Sequence, residues 1–206
     1  MADTSQEAES ALEHDHLLLL EFDRRVATFA AQPITLCWED ASGRHRYTPD
    51  VAIRYTAPAM RADPSLCTTL IEVKPRSVLR RDWVALRPKF KATIAWCNER
   101  SMAFRILTDA EIRTPYLENA RFLLRFRFDT SAESCIDDPC PLQIRRALIQ
   151  QRISSPRALM QSLATDEQRQ AEYLPWIWRL VDLGHIGCDL HQRLTMTSLI
   201  WATNLT

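Results

Sequence analysis

The sequence predicts an α/β domain, with a mixed central sheet flanked by helices, followed by a small helical domain of winged-helix-like plan. Three observations carry this expectation. Residues 1–127 run in the order helix, β-meander, helix, strand, helix, which places helices on both faces of a mixed sheet. A polar stretch at 128–141 is punctuated by Pro139 and Pro141, as linkers are. Residues 142–206 then show three helical periods followed by a short hairpin pattern.

The elements are justified in turn. Gln6 to Asp23 reads as a helix, with Ser5 at its start, acids in its first turn and apolar Leu12, Leu17 to Leu20 and Phe22 along it. Glu13 lies in its first half. Val26 to Ala30 and Ile34 to Trp38 are short strands around Gln32-Pro33, and Ser42-Gly43 is the turn after them. Arg44 to Tyr47 and Val51 to Tyr55 continue the sheet. Ala57 to Ser65 holds two prolines and no period, and is expected to be a loop. Thr68 to Val73 is the central strand, closed by Pro75. Asp82 to Arg100 is a long helix, Ala103 to Leu107 a strand, and Thr108 caps a short helix. Tyr116 to Arg127 is helical. Beyond the linker, Leu142 to Arg152, Ser155 to Leu163 and Asp166 to Leu183 are helices, and Ile186 to Leu190 with Leu194 to Trp201 form the hairpin. Trp176, Trp178 and Trp201 are expected in its core.

Composition excludes several functions. With three glycines, at 43, 184 and 187, the chain has no P-loop, dinucleotide-binding or kinase glycine motif. No apolar run approaches the ~20 residues of a membrane span, and the acidic start, Asp3 to Glu7, is unlike a signal peptide. The six cysteines are expected to be reduced, with Cys37, Cys67 and Cys97 acting as small buried hydrophobes. Cys135, Cys140, His185, Cys188 and His191 can be drawn as a zinc site, but their spacing is loose, and structural roles are the expectation. Net charge is zero, yet residues 1–40 hold nine acids and two bases, leaving +7 on the rest. Basic residues cluster at Arg76, Arg80, Arg81, Arg87, Lys89 and Lys91, then at Arg121, Arg125 and Arg127, and at Arg145, Arg146 and Arg152. Such clusters can bind phosphate backbones or simply be solvated helix faces. Arg76, Arg80, Arg81, Lys89 and Lys91 are the DNA-binding candidates, because their cluster follows directly on Lys74.

The chemistry concentrates at Tyr47-Thr48-Pro49-Asp50 and Ile71-Glu72-Val73-Lys74. Strand alternation sends Glu72 and Lys74 one way and Ile71 and Val73 the other. A buried carboxylate and ammonium need partners. Asp50 and Glu72 would supply two oxygen ligands to a hard divalent cation, with Lys74 beside the water that the metal activates. This is the arrangement Pro-Asp…(Asp/Glu)-x-Lys of restriction-endonuclease-like nucleases.

Further segments sharpen the resemblance. Ser10 to Glu13, Leu17 to Asp23, Val26, Gln32-Pro33, Tyr47 to Asp50, Ile71 to Pro75 and Phe104 to Ile112 occur in the order and at the intervals of the TnsA-like endonuclease subunit of heteromeric transposases. The likeness spans about residues 9–127. It implies that Glu13 is the helix-borne catalytic Glu, Asp50 the metal-binding Asp and Lys74 the catalytic Lys. Glu72 stands at the (Asp/Glu) position, where some members carry Gln. The implied metal ligands are Glu13, Asp50 and Glu72; Gln32 either reaches the edge of the active site or fixes the start of a strand. The resemblance further implies a Mg²⁺ cofactor that Mn²⁺ can replace, double-stranded transposon-end DNA as substrate, and 5′-side cleavage. The implied partners are a retroviral-integrase-like transposase subunit and an AAA+ regulatory ATPase, in the bacterial cytoplasm at the nucleoid. Two other readings stay open: a stand-alone nuclease of repair or junction resolution, and a non-catalytic assembly subunit.

Overall fold

A computed structural model describes residues 2–40, 43–127 and 139–203. The chain divides into two compact units, Met1–Arg113 and Thr114–Thr206. The first contains α1 (Ala2–Phe22), β1 (Val26–Ala31), β2 (Leu36–Asp40), β3 (Gly43–Tyr47), β4 (Val51–Tyr55), α2 (Ala57–Ala62), β5 (Thr69–Val73), α3 (Arg76–Asn98), β6 (Ala103–Leu107) and α4 (Asp109–Ile112). Its main sheet has the order β1-β4-β5-β6. β1 and β5 run antiparallel to β4, whereas β6 runs parallel to β5. This is the predicted mixed sheet with flanking helices.

Every residue of β5 is buried, so alternation sends its side chains into two cores. Ile71 and Val73 join Leu12 and Leu20 of α1, Val51 and Ile53 of β4, and Ile112 of α4. On the other side, Leu36, Tyr47 and Phe90 form the second core, with Leu79, Leu86, Trp96, Phe104 and Ile106 packed on it. Glu72 belongs to this second face, the one covered by α3.

Several expectations need correction. β2 and β3 do not extend the main sheet; they pair only with each other, in a separate hairpin. The stretch expected as a loop contains α2: Thr56 caps it by accepting from the Ala59 N–H at 3.3 Å, and Pro58 sits in the first turn, where a missing N–H costs nothing. α3 starts directly after Pro75 and runs through Pro88. The carbonyl that Pro88 cannot bond belongs to Val84, a residue that is 87% exposed. Cys37 is exposed and Cys67 half-buried; Cys97 alone of these three is buried.

His16 on α1 is buried, and neither ring nitrogen has a hydrogen-bond partner among the described residues. Burial pushes its pKa down to about 4. Its neutral form is therefore the folded form, while the unfolded chain takes up a proton near pH 6.5. Stability from this group is complete above pH 6.5 and is lost as pH falls towards 4, by about 1.4 kcal/mol per unit. His16→Leu is expected to remove this leg. Urea titrations at pH 7 and pH 4.5 should show the wild type losing about 2–3 kcal/mol relative to the variant; parallel losses would refute the assignment.

The second unit contains α5 (Pro115–Leu124), α6 (Pro139–Gln151), β7 (Ile153–Ser154), α7 (Pro156–Leu163), α8 (Glu167–Asp182), β8 (Ile186–Cys188) and β9 (Ile200–Ala202). Its three short strands pair antiparallel in the order β7-β9-β8, so a third strand joins the expected hairpin. The sequence groups the helix Tyr116 to Arg127 with the sheet, but α5 packs on α8, with Phe122 edge-on to Trp178 at 5.2 Å. Trp178 is buried, as expected, whereas Trp201 is 38% exposed. The linker residues 128–138, including Cys135, lie outside the described residues.

Asn119 holds the segment between β8 and β9. It is 3% exposed, and its amide donates to Leu190 O and Gln192 O at 2.8 Å each. Its oxygen accepts from the Leu194 N–H at 3.0 Å. Asn119→Leu fills a similar volume and strands three backbone groups. At about 1–3 kcal/mol per fully buried unsatisfied group, and less here because Gln192 is exposed and Leu190 and Leu194 half-buried, a loss of about 1–3 kcal/mol is expected in urea unfolding; a change below ~1 kcal/mol would show that water replaces the amide.

Candidate active site

Asp50 stands immediately before β4 and is tied to strands on both sides. Its N–H donates to Ile71 O at 3.0 Å, and its carbonyl accepts from the Gln32 N–H at 2.7 Å. Its Oδ2 accepts from the Val73 N–H at 2.7 Å. The carboxylate is thereby fixed at the end of β5, where the sheet opens. Burial and then the charge of Glu72 push its pKa up to about 7; the Val73 N–H pulls it down, Glu13 pushes it up and Lys74 lowers it. Gln32 adopts a left-handed backbone, φ 48°, and its side chain is exposed. Its observed contribution is the backbone bond that fixes the start of β4.

Glu72 is 2% exposed, on the α3 side of β5. Its Oε2 accepts from the Tyr47 hydroxyl. Its Oε1 accepts from Lys89 Nζ at 2.9 Å, and Lys74 Nζ lies 3.8 Å from the same oxygen. Burial, with the Glu72 charge, holds the Tyr47 phenol far above its usual range, so it remains a donor.

Lys74 follows β5, with its N–H donating to Leu107 O at 2.9 Å. Its ammonium bonds to the Glu9 carboxylate on α1. Burial works against the charged form, but the Glu9 hydrogen bond and the charges of Glu72, Glu9 and Asp50 outweigh it and raise the pKa. Glu13, one turn along from Glu9, is half-buried. Burial raises its pKa; Glu9 and Glu72 push the same way, against Lys74. Mutual electrostatic influence thus links Glu13, Asp50, Glu72 and Lys74 into one site.

Three partners were not assigned to the site from sequence: Glu9, Tyr47 and Lys89. Signals for them exist. Glu9 and Glu13 are four apart and share a helix face. Lys89 adjoins the inward-facing Phe90 and Thr93 of α3, a position where a lysine needs a buried partner. Lys89 therefore does not belong with the exposed DNA-binding candidates. It lies nine residues after Arg80, half a turn out of phase with it. Arg76, Arg80, Arg87 and Lys91 are exposed along one side of α3, while Arg81 is engaged by Asp82 at 2.7 Å. Arg127, from the next cluster, is bound to Asp182 at 2.9 Å.

Among the described residues, no three His, Cys, Asp or Glu side chains gather into a ready metal cage. The donor set nevertheless fits a hard divalent ion in kind: the carboxyls of Asp50 and Glu13, whose pKa values are raised first by burial and then by neighbouring carboxylates, offer oxygen ligands beside Glu72. No helix among the described residues is long and apolar enough to cross a membrane.

No curated protein matches the chain. Residues 23–109 match the family model described as TnsA-like endonuclease N terminal. The matched span carries Gln32, Tyr47, Asp50, Glu72, Lys74 and Lys89, while Glu9 and Glu13 precede it. The mixed sheet beneath these residues is that of a restriction-endonuclease-like fold. Residues 23–109 are therefore similar to the N-terminal domain of TnsA-like endonucleases.

Proposed function

We propose that the chain is the metal-dependent DNA endonuclease subunit of a heteromeric transposase, hydrolysing the phosphodiester at the 5′ side of transposon ends. The observation that carries this reading is the geometry at the end of β5: Lys74 Nζ lies 3.8 Å from Glu72 Oε1, Asp50 Oδ2 is held by the Val73 N–H at 2.7 Å, and Lys74 reaches Glu9, one turn from Glu13. Asp50, Glu72 and Glu13 would hold Mg²⁺, or Mn²⁺ in its place. When bound, such an ion acidifies water and offsets charge on the phosphorus centre. Lys74, kept protonated, would orient the attacking water and donate to phosphate oxygens. Val73 holds Asp50 in place through its backbone N–H, and Tyr47 holds Glu72.

The exposed Arg76, Arg80, Arg87 and Lys91 of α3 would follow the DNA backbone. None forms an ion pair among the described residues, so all four charges can displace counterions. The order α6-β7-α7-α8-β8-β9 supports a winged-helix-like reading of the second unit, as a surface for DNA or the regulatory ATPase. Partners of this reading are a retroviral-integrase-like transposase subunit and an AAA+ ATPase.

The test uses end DNA labelled separately on each strand, with Mg²⁺, and resolves products on a denaturing gel. Cutting at the 5′ side is expected only when the transposase and ATPase accompany the chain. Efficient cutting of random duplex by the chain alone would identify a stand-alone nuclease. No 5′ cutting in the full assembly would identify a non-catalytic subunit.

A further inference from the structure

Glu72 has no free oxygen. Tyr47 donates to Oε2, Lys89 to Oε1 at 2.9 Å, and Lys74 lies 3.8 Å from Oε1. The Glu72 side chain is 3% exposed and cannot turn to water for another partner. Lys89 is equally well placed. Its Nζ lies 4.3 Å from the centroid of the Tyr47 ring and 5.1 Å from that of Phe90, so two aromatic faces hold the ammonium against the carboxylate. Tyr47 serves both partners, giving its hydroxyl to Glu72 and its ring to Lys89. Phe90 is 3% exposed and fixes the base of this arrangement from α3. Such packing distinguishes Lys89 from a solvated surface lysine; it is a cation seated in a built site.

A divalent ion on Oε1 and this ammonium would compete for one oxygen, because like charges so close repel each other in a partly buried setting.

We propose that Lys89 is the site's own counter-cation, occupying on Glu72 the place that a divalent ion takes, so that metal loads only by displacing this ammonium. The proposal rests on the reading of Asp50 and Glu72 as metal ligands. Lys89 is then a positioning residue: it keeps Glu72 ordered without metal and lowers the metal affinity of the free chain.

The test is Mn²⁺ titration of the full chain, followed by electron paramagnetic resonance of the free ion, on wild type, Lys89→Met, Lys89→Arg, Glu72→Gln and the Glu72→Gln/Lys89→Met double variant. Removing the competitor should tighten Mn²⁺ binding on the order of tenfold in Lys89→Met. Lys89→Arg retains a cation and should stay near wild type. In the Glu72→Gln background, Lys89→Met should change Mn²⁺ affinity by less than about twofold, since the oxygen under competition has lost its charge. Equal or weaker Mn²⁺ binding by Lys89→Met would overturn the proposal. Lys89→Met leaves Glu72 with one partner fewer and could unfold; the proposal then requires Mn²⁺ to restore its melting transition, and failure to do so overturns it. No Mn²⁺ binding by any form would overturn the metal reading itself, and the proposal with it.

Discussion

Asp50→Asn is expected to abolish detectable cutting at the 5′ ends while leaving the fold as stable as before, or more stable. The loss should be about 10²–10⁴-fold or greater, the usual scale for removing a group that acts on the reacting centre. Stability should move the other way. The Asn oxygen can still accept from the Val73 N–H, so the geometry at the start of β4 survives. The charge that disappears is one that burial and Glu72 oppose, which is why the folded pKa is raised from 3.8 to about 7. With the folded pKa above the unfolded one, this carboxyl contributes stability at low pH and loses that contribution as pH rises to about 7. The advantage of Asp50→Asn over wild type should therefore grow from pH 5 to pH 8, by a few kcal/mol at most. Strand-specific gels measure the first effect and melting curves at the two pH values the second. An Asp50→Asn variant that cuts at the wild-type rate would remove Asp50 from the mechanism. One that melts lower at pH 8 would mean that the buried charge is compensated by groups other than those described.

How much was legible beforehand follows from the range over which each residue's partners lie. β5 could be read because an apolar run ending at Pro75 needs no knowledge of its neighbours, and Thr108 because a capping box is local: Thr108 N donates to Glu111 Oε2 at 2.8 Å. The alternation of Glu72 against Ile71 and Val73 was equally local. The role of Lys89 is not legible in the sequence because its partner, Glu72, is 17 residues away on another element, and charge counting along a helix does not reveal which cations turn inward. The same holds for Glu9, since its bond to Lys74 spans 65 residues. α5 has an apolar face, but periodicity does not say which core receives it. α2 is masked in the sequence by Pro58 in its first turn and Pro64 beyond its end, although Pro58 occupies a position that helices accept. The matched family span reinforces the same division: it begins at 23, after the helix that supplies Glu9 and Glu13.

Lys74→Met and Lys74→Arg are expected to differ, and the difference decides what Lys74 does. A general base must lose its proton near the working pH. Lys74 is held the other way: burial lowers its pKa, but the Glu9 hydrogen bond and the surrounding carboxylates prevail and raise it above the ordinary lysine value. It is therefore a permanent cation, suited to orient water and offset charge on the phosphate. Lys74→Met should reduce cutting by about 10²–10³-fold. Arg cannot act as a base, having a pKa above about 12, yet it carries the same charge, so Lys74→Arg should recover activity well above the Met variant. Both should fold, because Glu72 retains Tyr47 and Lys89 as partners. Both should also hold end DNA in a mobility-shift assay, since the exposed Arg76, Arg80, Arg87 and Lys91 are untouched. Single-turnover cutting of 5′-labelled ends across pH 6–9 measures the comparison. An Arg variant as inactive as the Met variant, together with a rate that follows one deprotonation in the wild type, would assign the proton transfer to Lys74 and refute the electrostatic role derived from Glu9.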